Sequence, residues 1–281
     1  MSAGFRAIDP QRHRLGEGAR DLGREFVFVD ILAGSLFSTD GRSAPRSVLQ
    51  LDVYLGAVAP TRTGGLILAA GTGFALWDHG EVTWVARPED GADVATRMND
   101  ASVDPAGHLW VGSMGVDADE GAGSLYRLDH DLVVTKVLDG LTVPNGPVFD
   151  GTRAVMYLAA SHAGIIHRYR WDPDSGRLSD EVEFAHIDDA SPDGMTIDAD
   201  GNLWVALWGG SRLHQYGPSG ELLRSIPVPA RQPTSIALGA GPGHLALVTT
   251  ATHELLDPAD EDGRTLVADL GVGGRPCEVF G

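Results

Sequence analysis

Six positions, each about ten residues upstream of a recurring apolar strand, hold Glu17, Gly56, Asn99, Asn145, Asp193 and Ser235. All but Gly56 carry an oxygen-bearing polar side chain. Taken singly, an Asn or Asp beside Gly or Pro is a turn residue. Gly16-Glu17-Gly18, Pro144-Asn145-Gly146 and Pro192-Asp193-Gly194 each fit that description. Their common register argues instead for convergence on one polar ring. Carboxylate and amide oxygens are hard donors suited to Ca²⁺, Mg²⁺ or Mn²⁺. Zn²⁺ also accepts carboxylate oxygen and keeps a water in an open site. The two acids and two amides leave such an ion net positive, able to polarise a carbonyl and acidify its bound water. The residues therefore point to metal-assisted hydrolysis. If the segment holding Arg97 and Asn99 is a strand, both face the same side, and the Arg offers a forked donor to substrate oxygens; the alternative is a structural Arg bonded to loop carbonyls.

The elements that must position this ring are strands. Short apolar runs begin at Phe26, Leu66, Leu109, Met156, Leu203 and Leu245, so they recur every 40 to 47 residues. Asp104-Pro105-Ala106-Gly107 and Asp198-Ala199-Asp200-Gly201 precede two of them as turns, predicting hairpins from Ala101–Val103 into His108–Val111 and from Met195–Ile197 into Asn202–Ala206. Further half-buried strands follow, such as Ser124–Leu128 and Arg212–Tyr216. A unit of this period with about four strands is a propeller blade. The expected fold is all-β: a six-bladed β-propeller with a central metal site, filling residues 1–281 as a single domain. Thr265–Leu270 lacks a following strand set and is expected to complete its blade with a strand from Gly4–Ile8. A two-layer sandwich is the competing architecture, but it does not call for whole units recurring at this period. The matched Trp110 and Trp204 read as repeat packing.

Composition narrows the function. Of 281 residues 43% are hydrophobic, enough for a core, and 37 are Gly, which favours turns over long helices. The net charge of −18, with a single Lys (Lys136), excludes a phosphate-neutralising surface, so no nucleic-acid partner is expected. An acidic surface also disfavours anionic membranes, and no apolar run is long enough for a transmembrane helix. Cys277 is the one cysteine, which excludes an internal disulfide. Met1–Pro10 shows no basic start followed by an apolar run, so a cytoplasmic location is expected. Ser161-His162 is not read as a nucleophile pair, since no elbow sequence surrounds Ser161 and neighbours on a strand face opposite ways.

In these segments the chain resembles the SMP-30/gluconolactonase/LRE (regucalcin-like) family of six-bladed propellers. The matching stretches are Gly16-Glu17-Gly18 with Phe28-Val29-Asp30-Ile31; Arg97-Met98-Asn99-Asp100 with Val103–Gly107 and Gly112-Ser113-Met114; Pro144-Asn145-Gly146; Ser191–Met195 with Leu203–Ala206; and Pro233-Thr234-Ser235. The resemblance implies one divalent metal held by Glu17, Asn145 and Asp193, substrate binding by Arg97 and Asn99, and a base role for Asp193. It implies hydrolysis of a sugar lactone or a related small lactone or ester. A lid loop after Met114 offers Glu120 as a further substrate contact, the other reading of Glu120 being a solvated loop charge. Ala19, Ala101 and Ala160 depart from the family pattern; they leave the ligands intact and bear on the substrate. Two other readings stay open: an enzyme of different ester or natural-product chemistry on the same pocket, and a non-catalytic propeller that binds a cation or a protein partner.

Overall fold

A computed structural model describes residues 4–241 and 243–281; Met1–Ala3, part of the stretch searched for a leader, lie outside the described residues. The chain is all-β, a six-bladed propeller of four-stranded antiparallel sheets. Blade one is Gly16–Asp21, Phe26–Asp30, Ser35–Thr39 and Arg46–Gln50; blade two is Leu55–Pro60, Leu66–Ala70, Gly73–Asp78 and Glu81–Ala86. Blade three is Thr96–Val103, Leu109–Gly115, Gly123–Leu128 and Val134–Leu141; blade four is Pro144–Asp150, Val155–Ala160, Ile165–Trp171 and Leu178–His186. Blade five is Ser191–Ile197, Leu203–Trp208, Arg212–Tyr216 and Leu222–Pro227. Blade six is Pro233–Leu238, Leu245–Thr250 and Leu266–Asp269, with Arg6–Ala7 as its outermost strand. Arg6 lies opposite Val267 and Ala7 opposite Leu266, the closure expected from sequence. No helix among the described residues is long and apolar enough to cross a membrane.

Blades five, six and one form one compact unit, and blades two, three and four form another. Within each unit the first strands of successive blades pack side by side, which makes them the inner strands. The second strands are the repeated apolar runs, and their lack of alternation has a cause: both faces are covered. In blade three, Leu109 and Val111 pack toward Ala57, Ile67 and Ala69 of blade two. Trp110, on the opposite face, packs toward Met156, Leu158 and Trp171 of blade four. In the other unit, Trp204 and Ala206 meet Ile236, Leu238 and Val248, while Phe26 and Phe28 meet Ala237 and Leu247.

The repeated turn and the repeated Trp form one device. Asp104 accepts the backbone N–H groups of Ala106 and His108, and Trp110 donates its indole N–H to Asp104 Oδ2 at 2.8 Å. Asp198 does the same for Asp200, Asn202 and Trp204, the last at 2.9 Å. Both tryptophans are fully buried, as repeat packing requires. Burial alone would raise the Asp198 carboxyl, but hydrogen bonds from Trp204, Asn202 and Gln215 outweigh it and hold the group below its ordinary range.

Gly56, at the ring position of blade two, contributes no side chain for a steric reason. A Cβ there would lie 2.1 Å from Asn99 O and 2.7 Å from Met98 O, both backbone atoms. Gly56→Ala should therefore push the Arg97–Asn99 strand aside, costing about 1–3 kcal/mol by overpacking. Chemical denaturation of the variant checks this; a midpoint equal to the native one would show that the strand yields freely.

Candidate metal centre

The inner strands share an irregularity. Pairing with the second strand slips between Glu17 and Arg20, Leu55 and Ala57, Met98 and Ala101, Asn145 and Val148, Pro192 and Met195, and Pro233 and Ser235. Gly56, Asn99 and Asp193 lie inside these slips, Glu17 and Asn145 are the last paired residues before theirs, and Ser235 is the first paired residue after its own. Extra residues at such a bulge leave the ladder and re-aim their side chains. Gly18 and Gly146, which follow Glu17 and Asn145, take φ of 60° and 83°, a left-handed conformation that a side chain disfavours. Gly194, after Asp193, is needed for space, since a Cβ would lie 2.5 Å from Ser235 Cβ and 2.8 Å from Thr234 O.

In the unit of blades two to four, the bulges bring Arg97, Asn99 and Asn145 into one hydrogen-bonded run. Arg97 Nη1 donates to Asn99 Oδ1 at 2.6 Å and to Met98 O at 3.2 Å. Asn99 Nδ2 donates to Asn145 Oδ1 at 3.0 Å and to Pro144 O at 2.9 Å. Asn145 Nδ2 donates to Ser161 Oγ at 2.9 Å. The motif residue Asp100 also takes part. Its Oδ2 accepts Gly146 N–H at 2.9 Å, so it holds the backbone beside Asn145. Neither Asp100 nor Ser161 was expected to act here; the only sequence signal for Asp100 is its place directly after the ring Asn. Ser161 and His162 do not lie on a strand. They open a 3-10 turn, Ser161–Ala163, because Gly164 at φ 71° lets its N–H return to Ser161 O. Glu120 lies on the exposed turn between the second and third strands of blade three.

In the unit of blades five, six and one, Glu17 and Asp193 occupy the second and third positions of their inner strands and are only 5% and 6% exposed. Glu17 Oε2 accepts Gly18 N–H at 2.9 Å. Ser235 Oγ accepts Ala19 N–H at 2.9 Å and lies 2.6 Å from Thr249 Oγ1, which ties it into the blade wall. Among the described residues no group of three or more His, Cys, Asp or Glu is clustered for a metal. The expected ligand set holds two carboxylates and one amide oxygen. Its chemistry fits a hard divalent cation, since buried carboxylates are costly unless their charge is compensated.

The fold and its inner-strand residues define a class: a six-bladed propeller whose bulged inner strands carry buried carboxylates and amides. The comparisons agree. Residues 15–253 match the family model described as SMP-30/Gluconolactonase/LRE-like region, and the chain belongs to this family. It is 33% identical to pentonolactonase XacC of Haloferax volcanii, over 95% of this chain and 90% of that one. It is likewise 33% identical to 6-deoxy-6-sulfogluconolactonase of Pseudomonas putida, over 90% and 89%. Among solved structures it resembles a calcium-binding protein, regucalcin, from Agrobacterium tumefaciens, with a TM-score of 0.92, 26% identity, and coverage of 100% and 98%.

Blade five also carries a charged network. Arg212 pairs with Asp189, donates to Gly210 O at 3.0 Å, and donates through Nε to His214 Nε2 at 3.0 Å. His214 must then carry its proton on Nδ1, which faces the Tyr216 hydroxyl at 2.9 Å. Burial, and then the Arg212 charge, push the imidazole down to about 4. An unfolded His takes its proton near pH ~6.5. Between these values the unfolded chain binds more protons, so His214 contributes stability above about pH 6.5 that is lost as pH falls through about 4. Urea midpoints measured from pH 7 to 4 should fall on acidification, and His214→Gln should flatten part of that slope.

Proposed function

We propose that this chain is a metal-dependent lactonase that opens a sugar lactone, with Glu17, Asn145 and Asp193 as the protein ligands of one divalent cation. The observation that carries this reading is that each of the three residues lies in or directly before the slip of its inner strand, in a family whose relatives include named lactonases. Sugar lactones are preferred to other esters because the relatives named above are a pentonolactonase and a 6-deoxy-6-sulfogluconolactonase. Ca²⁺, Zn²⁺, Mg²⁺ and Mn²⁺ all accept this donor set.

A bound divalent ion would supply Lewis-acid polarisation of the lactone carbonyl and acidify water. The chain's own residues do the rest. Arg97, held by Asn99, presents guanidinium N–H groups to substrate oxygens. Asp193 takes the proton of the attacking water, using the carboxylate oxygen not committed as a ligand, because a metal-bound oxygen is a weak base. The acyl–oxygen bond of the ring breaks, and the ring oxygen leaves as the new hydroxyl after gaining a proton. No covalent acyl-enzyme is required, so no Ser or Cys nucleophile is needed. Glu120, exposed on its turn, would meet only a substrate that extends toward solvent.

A panel of aldonolactones, followed by pH drop before and after chelation and metal add-back, tests the reading; activity that survives chelation undiminished would refute it. Asp193→Ala should abolish tight metal binding with the propeller still folded, as measured by elemental analysis and circular dichroism. Asp193→Asn should lose most activity even where metal remains, and Ser235→Ala should keep most of it. Native-rate turnover by metal-loaded Asp193→Asn would reduce Asp193 to a ligand. In contrast, Arg97→Leu should lower kcat/KM, chiefly through KM, while metal content stays at the native level; released metal would mark Arg97 as structural.

A further inference from the structure

The hydrogen bonds around Asn145 can run in only one sense. A guanidinium has donors only, so the Asn99 atom 2.6 Å from Arg97 Nη1 is Oδ1. A backbone carbonyl accepts only, so the Asn99 atom facing Pro144 O is Nδ2. That same Nδ2 lies 3.0 Å from Asn145, so the atom it meets there is Oδ1. The amide nitrogen of Asn145 is thereby turned the other way, onto Ser161 Oγ at 2.9 Å. Arg97, Asn99, Asn145 and Ser161 are 6%, 5%, 5% and 6% exposed, so water competes little for these bonds.

We propose that Ser161 is a positioning residue for the metal site, the acceptor that locks the Asn145 amide with Oδ1 available to the cation. This rests on the reading of Asn145 as a ligand. An amide oxygen has two acceptor positions; Asn99 takes one and leaves the other for a metal. Rotation of the amide would present N–H groups to a cation and set them against Asn99 Nδ2, so orientation decides whether the residue can ligate. Asn99 fixes the oxygen end, and Ser161 fixes the nitrogen end. Loss of the serine hydroxyl strands a buried N–H and frees the amide to rock away from the ligating position. Partners that orient a ligand in this way typically change metal affinity by about 10–100-fold.

The test is calorimetric titration of chelator-stripped protein with Mn²⁺ and, separately, Ca²⁺, alongside thermal melts of the same stripped samples. Ser161→Ala should raise the metal Kd by about tenfold or more, while Ser161→Thr, which keeps the hydroxyl, stays within about threefold of native. The melting temperature of the stripped variants should not follow this order, which separates positioning from general destabilisation. Should Ser161→Ala fail to fold, Ser161→Cys decides, because its weaker acceptor must weaken metal binding more than Thr does. Native affinity in Ser161→Ala, or an equal loss in Thr and Ala, overturns the inference and leaves the ligand assignment standing. Failure of the native protein to bind either ion overturns both.

Discussion

Two fully paired strands stand their side chains perpendicular to the sheet, alternating between its faces, and within each unit the facing sides of neighbouring blades are buried in apolar packing. A polar residue held in that alternation would be driven into the packing between blades. The slip in pairing at the start of every inner strand releases the local residues from it. Asn99 and Asp193 lie inside such slips and Glu17 and Asn145 directly before them, and the glycines at 18, 146 and 194 supply the backbone freedom or the space that the slips need. An interruption of pairing beside a polar position thus recurs from blade to blade within each unit.

The blades in turn rest on devices that do not touch the ring. Asp104 and Asp198 each gather a turn and an indole N–H into one buried carboxylate, which ties the start of the second strand to the turn before it. Gly56 shows the cost of close approach: blade two gives up a side chain so that its inner strand can lie against the backbone of Met98 and Asn99. The strand it lies against is the one from which Asn99 reaches Asn145. Packing, backbone geometry and the polar run are thus three levels of one arrangement.

Much of this was legible in the sequence. The period of the apolar runs marked the second strands correctly, because both-face burial keeps those strands uniformly apolar. The lone C-terminal strand signalled blade closure by Arg6–Ala7, because a missing partner strand leaves a buried edge to be filled. Register alone picked out Glu17, Asn99, Asn145 and Asp193, which are buried on the inner strands. Ser161 and Asp100 escaped notice as parts of the site for an equally physical reason. Their partners, Asn145 and Gly146, are 16 and 46 residues away, and a hydroxyl or carboxylate that accepts one N–H leaves no pattern in composition or periodicity. Ser161 was also placed on a strand, whereas Gly164 turns the chain into a 3-10 turn that sets the hydroxyl against the amide.

The sequence by itself determined the all-β architecture, the number of blades, the family and the identities of the polar residues at the repeated position. These depend on chemical type and spacing, which a linear chain displays directly. Tertiary structure alone decided how the amides are oriented, which backbone atoms exclude a side chain at Gly56, and that Arg97 turns to Asn99. It also decided that His214 stays neutral beside Arg212. Those outcomes depend on distances of a few ångströms between residues brought together from different strands, and on the loss of water around them. Neither quantity exists until the strands have paired and the faces have closed.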